Sequence, residues 1–199
     1  MAWYIIRFWK VHLTEETDEV SLINLARTDP DAFGVLYERY VDRIYNYVFF
    51  RVGNTTDAED LTSKVFFKAL KSIGSYKHMG LPFSAWLYRI AHNLVANYHR
   101  DNLRVREISI ENLILPDTSK HPAPEQKIQQ NQENEFLLRI INDLSFQKRE
   151  LVLLKFVQNL SNAEISFIFG KTEGAIKSLY HRTLLELRDR VKNLENPRI

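Results

Sequence analysis

The residues with the most evident chemistry lie near the C-terminus, in the stretch AEISFIFGKTEGAIKSLYHR at residues 163–182. A turn at 170–174 separates two segments that have helical apolar periodicity. Polar side chains that can exchange hydrogen bonds with base edges and phosphates recur on one side of the second segment. They are Glu173, Lys177, Ser178, His181 and Arg182. This pattern favours nucleic-acid binding over catalysis.

The segment around the turn has the signals of a helix-turn-helix. Ser161 and Glu164 form a capping box that predicts a helix from about residue 162. Gly170 suits the left-handed conformation in which helices often end, and Thr172 can cap the next helix. Such a turn would place the second helix in the major groove of DNA. We expect the buried side of that helix to consist of Ile176, Tyr180, Thr183, Leu184, Leu187 and Val191.

The sequence Gly170-Lys171-Thr172 also resembles the end of a phosphate-binding P-loop. That motif needs another glycine five residues earlier, where Ile165 stands instead. We therefore expect no nucleotide site.

The composition of the 199 residues excludes several kinds of site. Without cysteine the chain forms no disulfide, no thiolate metal site and no cysteine nucleophile. The six histidines lack metal-ligand spacing, and no catalytic constellation is present. No apolar run reaches the ~18 residues of a membrane span. Because the net charge is only +2, the argument for nucleic acid rests on where the charges lie.

Three further amphipathic helices are predicted in the first half of the chain. The first has an apolar stripe over residues 33–48 and ends at Gly53. Thr56 and Glu59 form a Thr-x-x-Glu capping box that predicts the start of the second. Its first turn holds carboxylates, which are favourable there, at Asp57, Glu59 and Asp60.

The third helix follows a glycine- and proline-containing loop at 72–82. We expect its buried side to consist of Phe83, Leu87, Ile90, Ala91, Leu94 and Tyr98. Its outward positions and tail are rich in polar and basic residues, namely Arg89, His92, Asn93, Asn97, Arg100, Arg104 and Arg106.

The helical periodicity lapses between the two halves, where Pro116, Pro122 and Pro124 stand among polar residues. This composition is typical of an extended linker. We predict an all-α fold of two small helical domains joined by that linker. The predicted parts are an N-terminal extension over 1–20, a first domain over 21–106, a linker over 107–128 and a second domain over 129–195.

Together the motifs resemble the extracytoplasmic-function (ECF) group of bacterial sigma factors, in the sigma-70 family. The resemblance lies in DAEDL from Asp57, in WLYRIAHN from Trp86 and in the helix-turn-helix, in that order. It covers most of the chain outside the N-terminus and the linker. It implies that the first domain is a sigma region 2 helical bundle and the second a sigma region 4 helix-turn-helix.

The resemblance implies a transcription initiation factor with three binding surfaces. The first domain is expected to recognise and melt the −10 promoter element through Tyr76, Lys77, His78, Asn93, Asn97, Arg100 and Arg104. Its second helix is expected to bind the β′ clamp of RNA polymerase through Asp57, Glu59, Asp60, Ser63 and Lys64. While touching the β flap, the second domain is expected to read the −35 element through Thr172, Glu173, Lys177, Ser178, His181 and Arg182.

The implied partners are core RNA polymerase, promoter DNA and an anti-sigma factor, and the implied location is the cytoplasm. No cofactor, metal, small-molecule substrate or enzymatic activity is expected. Three positions depart from the family pattern. Ser63 and Lys64 stand where Gln-Glu is common, so Lys64 reverses a charge on the helix expected to meet polymerase, and Asn97 replaces a frequent aspartate.

Two other functions stay open at the level of the sequence. A sigma-like decoy would sequester an anti-sigma factor without binding DNA. It should lack the basic residues that this chain retains at Arg100, Arg104, Lys177 and Arg182. A stand-alone helix-turn-helix regulator would bind operators as a dimer, but this function leaves the first domain without a role.

Overall fold

The chain divides into two compact units, Met1–Ile108 (unit one) and Ser109–Ile199 (unit two). The computed structural model describes residues 18–102, 140–141 and 143–195. The predicted linker and most of the N-terminal extension lie outside these residues. Within them the regular structure is helical and no strand occurs, which confirms the all-α prediction.

Both units contain short and long helices, of 7 to 23 residues. Unit one contains α1 (Glu19–Leu25), α2 (Pro30–Val52), α3 (Thr55–Ser72), a 3₁₀ turn (Ile73–Ser75) and α4 (Phe83–Asn102). Unit two contains α5 (Phe146–Val152), a π-helical segment (Leu153–Val157), α6 (Asn162–Phe169) and α7 (Glu173–Glu195). No helix in the described part of the chain is long and apolar enough to span a membrane.

In unit one, α2, α3 and α4 pack around a shared apolar core, and α1 packs against α2. Ile44, Val65 and Leu87 contribute one fully buried side chain from each long helix. Two buried tyrosines also meet edge to face, with the ring centroids of Tyr47 and Tyr88 5.3 Å apart. Each such side chain contributes about 1.5–3 kcal/mol relative to an exposed one, so this core holds the bundle together.

The junction between α2 and α3 corrects one prediction. Gly53 ends α2 with a left-handed φ of 77°, as expected. The cap of α3, however, is Asn54, whose side-chain oxygen accepts a hydrogen bond from the Asp57 N–H at 2.8 Å. The predicted Thr56–Glu59 capping box is therefore wrong. The helix has already begun at Thr55, because Asn54 is the last residue in an extended conformation.

The buried side of α4 is also wider than predicted. Phe83, Leu87 and Ala91 are buried as expected, but so are Tyr88 and Val95. The predicted core residues Ile90, Leu94 and Tyr98 are only partly buried. The reason is that α4 packs against both α2 and α3, so two partners share its buried surface.

In unit two the predicted helix-turn-helix is present as α6, a tight turn and α7. Both hydrogen bonds of the Ser161–Glu164 capping box are formed, and Gly170 ends α6 with φ of 62°. Thr172 caps α7 by accepting a hydrogen bond from the Ala175 N–H at 3.2 Å.

The buried stripe of α7 is rotated relative to the predicted one. Ile176, Leu179 and Thr183 are buried, at the i, i+3 and i+7 positions of one helix face. Leu184 is 38% exposed, and Tyr180, Leu187 and Val191 are only partly buried, so their predicted core roles are corrected. The prediction missed Leu179 because apolar residues occupy both sides of this helix.

Candidate DNA and polymerase interfaces

The side of α7 that is predicted to read DNA (the reading side) is open to solvent. Glu173, Lys177, Ser178, His181 and Arg182 are all exposed, as is Thr172 at the cap. The helix itself holds two of them, because the Ser178 hydroxyl donates to the Gly174 carbonyl at 3.0 Å and Arg182 Nε donates to the Ser178 carbonyl at 3.3 Å. The structure therefore brings the whole predicted −35 set together on one exposed surface.

A network of charged side chains joins α7 to α5 and to the residues before α5. Lys148 of α5 forms an ion pair with Glu186, and Arg190 donates to the same carboxylate at 2.9 Å. Arg190 also donates to the Asp143 carbonyl at 3.0 Å. Hydrogen bonds from Lys148 and then Arg190 lower the pKa of Glu186. The sequence analysis did not predict this network. Its one signal in the sequence is the i, i+4 spacing of Glu186 and Arg190.

The predicted polymerase set divides into one inward and four outward residues. Asp57 accepts hydrogen bonds from the Tyr98 hydroxyl of α4 at 2.6 Å and from the Asn54 amide at 2.7 Å. These bonds, first that of Tyr98 and then that of Asn54, lower the pKa of Asp57. Asp57 thus joins α3 to α4, whereas the exposed residues are Glu59, Asp60, Ser63 and Lys64.

Lys64, the charge reversal on this helix, has a local partner. Its ammonium lies 2.5 Å from the Asp60 carboxylate one turn earlier, and both side chains are exposed. Exposed pairs of this kind contribute only ~0.3–0.5 kcal/mol. The two charges nevertheless offset each other, so Lys64 neutralises the Asp60 carboxylate on this side of α3.

The exposed side of α3 continues into apolar residues that sequence reasoning missed. Phe67 is 58% exposed and Leu70 is also exposed. The Lys71 ammonium lies 4.4 Å from the centre of the Phe67 ring. Phe67 follows Ser63 and Lys64 by one helical turn, so it extends their surface. The sequence does hold a signal for their exposure, because both apolar residues lie outside the buried stripe of Ala58, Leu61, Val65 and Ala69.

The loop between α3 and α4 corrects the placement of Tyr76. Its side chain is only 8% exposed, with its ring centroid 5.4 Å from that of Phe83 and 4.8 Å from that of Trp86. Burial raises the pKa of the Tyr76 phenol. The prediction that Tyr76 offers its ring to DNA is wrong in this structure, because apolar packing already uses it. Lys77 and His78 are exposed as expected.

The outer side of α4 carries the remaining predicted −10 residues. Asn93, Asn97 and Arg100 are exposed at successive turns. Arg100 lies 3.7 Å from Asp101, and both side chains are mostly solvated, so this pair constrains the guanidinium weakly. Arg104 lies outside the described residues.

Comparison with known proteins matches both units to one family. The Sigma-70 region 2 family matches residues 36–105, and the Sigma-70 region 4 family matches residues 136–187. The RNA polymerase sigma factor YlaC of Bacillus subtilis is 32% identical over 173 residues, which cover 98% of its length. The chain belongs to the sigma-70 family, in its ECF group.

Other ECF sigma factors are similar over parts of their length. The ECF sigma factor BldN of Streptomyces coelicolor is 40% identical over 80% of this chain, but the match spans only 60% of BldN. Among solved structures, the sigma factor RpoE of Bartonella quintana, in complex with the anti-sigma factor NepR, has a TM-score of 0.62. That comparison covers 80% of this chain and 96% of RpoE at 22% identity, and it shows a shared fold.

Proposed function

We propose that this ECF sigma factor binds core RNA polymerase, directs it to promoters with −10 and −35 elements and promotes melting of the DNA. The observation that carries the proposal is the exposed side of α7. A capped helix-turn-helix presents Lys177, His181 and Arg182 to solvent, with no packing role that would account for them. Hydrogen-bond donors, two of them cationic, in the first three turns of a second helix suit the major groove of intact duplex.

The division of labour follows the chemistry of each surface. Unit two reads the −35 element through Thr172, Glu173, Lys177, Ser178, His181 and Arg182. Unit one takes melted −10 DNA between the loop and α4, through Lys77, His78, Asn93, Asn97, Arg100 and Arg104. Extruding a base from the duplex costs a few kcal/mol, and polar and cationic groups that hold the unpaired strand offset this cost.

The third surface is the exposed side of α3. Glu59, Asp60, Ser63 and Lys64 bind the β′ clamp, and Asp57 contributes by fixing α3 to α4. Unit two also contacts the β flap. The proposal places the protein in the cytoplasm, without a cofactor or a catalytic step of its own. We also propose an anti-sigma factor as its regulatory partner, because the chain belongs to the ECF group.

Run-off transcription tests the function. Templates are first selected from a randomised pool of linear DNA, as those that the holoenzyme retains under heparin challenge. Purified protein is then mixed with core RNA polymerase and these templates. We expect discrete transcripts that depend on the added protein. A decoy or a stand-alone regulator would give none, even if the decoy captured an anti-sigma factor or the regulator shifted duplex DNA.

A further inference from the structure

The segment of α1 and its following turn contacts both ends of the loop between α3 and α4. Arg27 Nη2 donates a hydrogen bond to the Tyr76 carbonyl at 2.8 Å, where the loop begins. The Phe83 N–H, where the loop ends, donates to Glu19 Oε2 at 3.2 Å. Sequence separations of 49 and 64 residues make both contacts long-range. This segment of nine residues, 19–27, thus joins the two ends of a distant loop.

Glu19 is itself held in place. Its second oxygen accepts a hydrogen bond from the Tyr40 hydroxyl of α2. The carboxylate also lies at the first N–H of α4, that of Phe83, where the helix dipole favours a negative charge. Hydrogen bonds with one ionised partner are stronger than neutral ones. Glu19 therefore ties α1, α2 and the start of α4 together.

The loop between these ends is exposed at its tip and fixed at its base. Met79 is 68% exposed, and Lys77 and His78 beside it are exposed as well. Gly80 has a left-handed φ of 71°, which turns the chain back toward α4. The Tyr76 ring anchors the base of the loop in the core. A loop already fixed in shape loses less conformational entropy when it binds a ligand.

We propose that α1 and the turn after it are the positioning element of this loop: Arg27 and Glu19 hold its two ends so that the tip at 77–79 is shaped in advance for an unpaired base of the melted strand. The inference rests on the proposed function, because it assigns to unit one a single-stranded ligand. Neither Arg27 nor Glu19 contacts DNA in this account. They act through the loop.

The test uses full-length protein assembled with core RNA polymerase. The probe is the single non-template strand of a promoter recovered by heparin challenge, and the variants are Arg27→Ala, Arg27→Lys and Glu19→Gln. We expect Arg27→Ala to lower single-strand affinity about tenfold, or ~1.4 kcal/mol. Arg27→Lys, which keeps a charged donor, should recover part of that loss. Asn24→Ala, at an exposed position of α1 three residues before Arg27, is the matched control.

Three further readouts separate positioning from a general loss of structure. Affinity for core polymerase and binding to a −35 duplex should both stay unchanged in Arg27→Ala. Amide exchange should quicken within 77–81 and not in α2. Equal single-strand affinity of Arg27→Ala and wild type would overturn the inference while leaving the proposed function intact, as would a parallel loss of polymerase binding. A wild-type protein that gives no transcript and binds no single strand would overturn both.

Discussion

At the scale of single residues, Arg182 on the exposed side of α7 gives the most specific prediction about DNA binding. Arg182 is exposed and its Nε bond to the Ser178 carbonyl leaves the terminal guanidinium nitrogens for a partner beyond the helix. A guanidinium presented in this way can form two parallel hydrogen bonds to guanine or bind a phosphate.

We therefore expect Arg182→Ala to weaken binding of a −35 duplex about tenfold, since each good base contact is worth ~1–3 kcal/mol. Arg188→Ala is the control, because Arg188 lies exposed on the same helix and already pairs with Asp189. Fluorescence anisotropy at one fixed salt concentration measures both, since phosphate contacts make affinity steeply salt-dependent. Equal affinities of the two variants would show that the reading side is misassigned.

Asp57 gives a residue-scale prediction about stability. Its folded pKa is lowered by the hydrogen bonds of Tyr98 and Asn54. The stabilisation by this carboxylate is thus fully present above its unfolded pKa of about 3.9 and is lost as the pH falls through the lower folded value. We expect Asp57→Asn to cost ~1 kcal/mol at neutral pH and progressively less below pH of about 4.

Urea denaturation followed by Trp86 fluorescence measures this difference, in a chain whose Trp3 and Trp9 are changed to Phe. Asp60→Asn is the control, because its exposed pair with Lys64 contributes little. A difference between Asp57→Asn and the parent that does not depend on pH would contradict the proposed link between α3 and α4.

At the scale of elements, the turn between α6 and α7 depends on one backbone conformation. Gly170 has φ of 62°, and a Cβ there would meet no atom within 4 Å. Gly170→Ala should therefore destabilise unit two only through backbone strain, by ~1–2 kcal/mol. Gly174→Ala should stabilise it by ~0.5–1 kcal/mol, because that glycine lies inside α7 in equally open space.

Amide exchange of α6 and α7 measures both glycine variants in the same chain. The opposite signs are the informative feature, since both substitutions add the same methyl group to the same motif. If Gly170→Ala were neutral, the turn would tolerate other conformations and α7 would not be held at a fixed angle.

The elements that were predicted correctly are those whose signals are local. The capping box of Ser161 and the end of α6 at Gly170 depend on residues within a few positions of one another. The sequence does not show α1, because only two of its seven residues, Leu22 and Ile23, are buried. The burial of Tyr76 and the bond between Asp57 and Tyr98 depend on packing between distant segments. Such contacts leave no periodic trace in the sequence.

At the scale of the whole molecule, the surface proposed for the β′ clamp and the surface proposed for duplex reading belong to different units. The exposed side of α3, extended by Phe67, belongs to unit one, and the reading side of α7 belongs to unit two. A large apolar side chain left in solvent beside polar residues is typical of a partner surface. Changes to one surface should therefore leave the other function intact.

We expect Phe67→Ala to lower affinity for core polymerase about tenfold, because truncating a central aromatic residue of an interface commonly costs more than ~1 kcal/mol. Its stability should change little, since Phe67 is mostly exposed. Binding of the isolated protein to a −35 duplex should equal that of wild type, whereas Arg182→Ala should show the reverse pattern. Competition for labelled core polymerase measures the first affinity and duplex anisotropy the second. A Phe67→Ala protein that loses both functions together would show that the two surfaces are not independent.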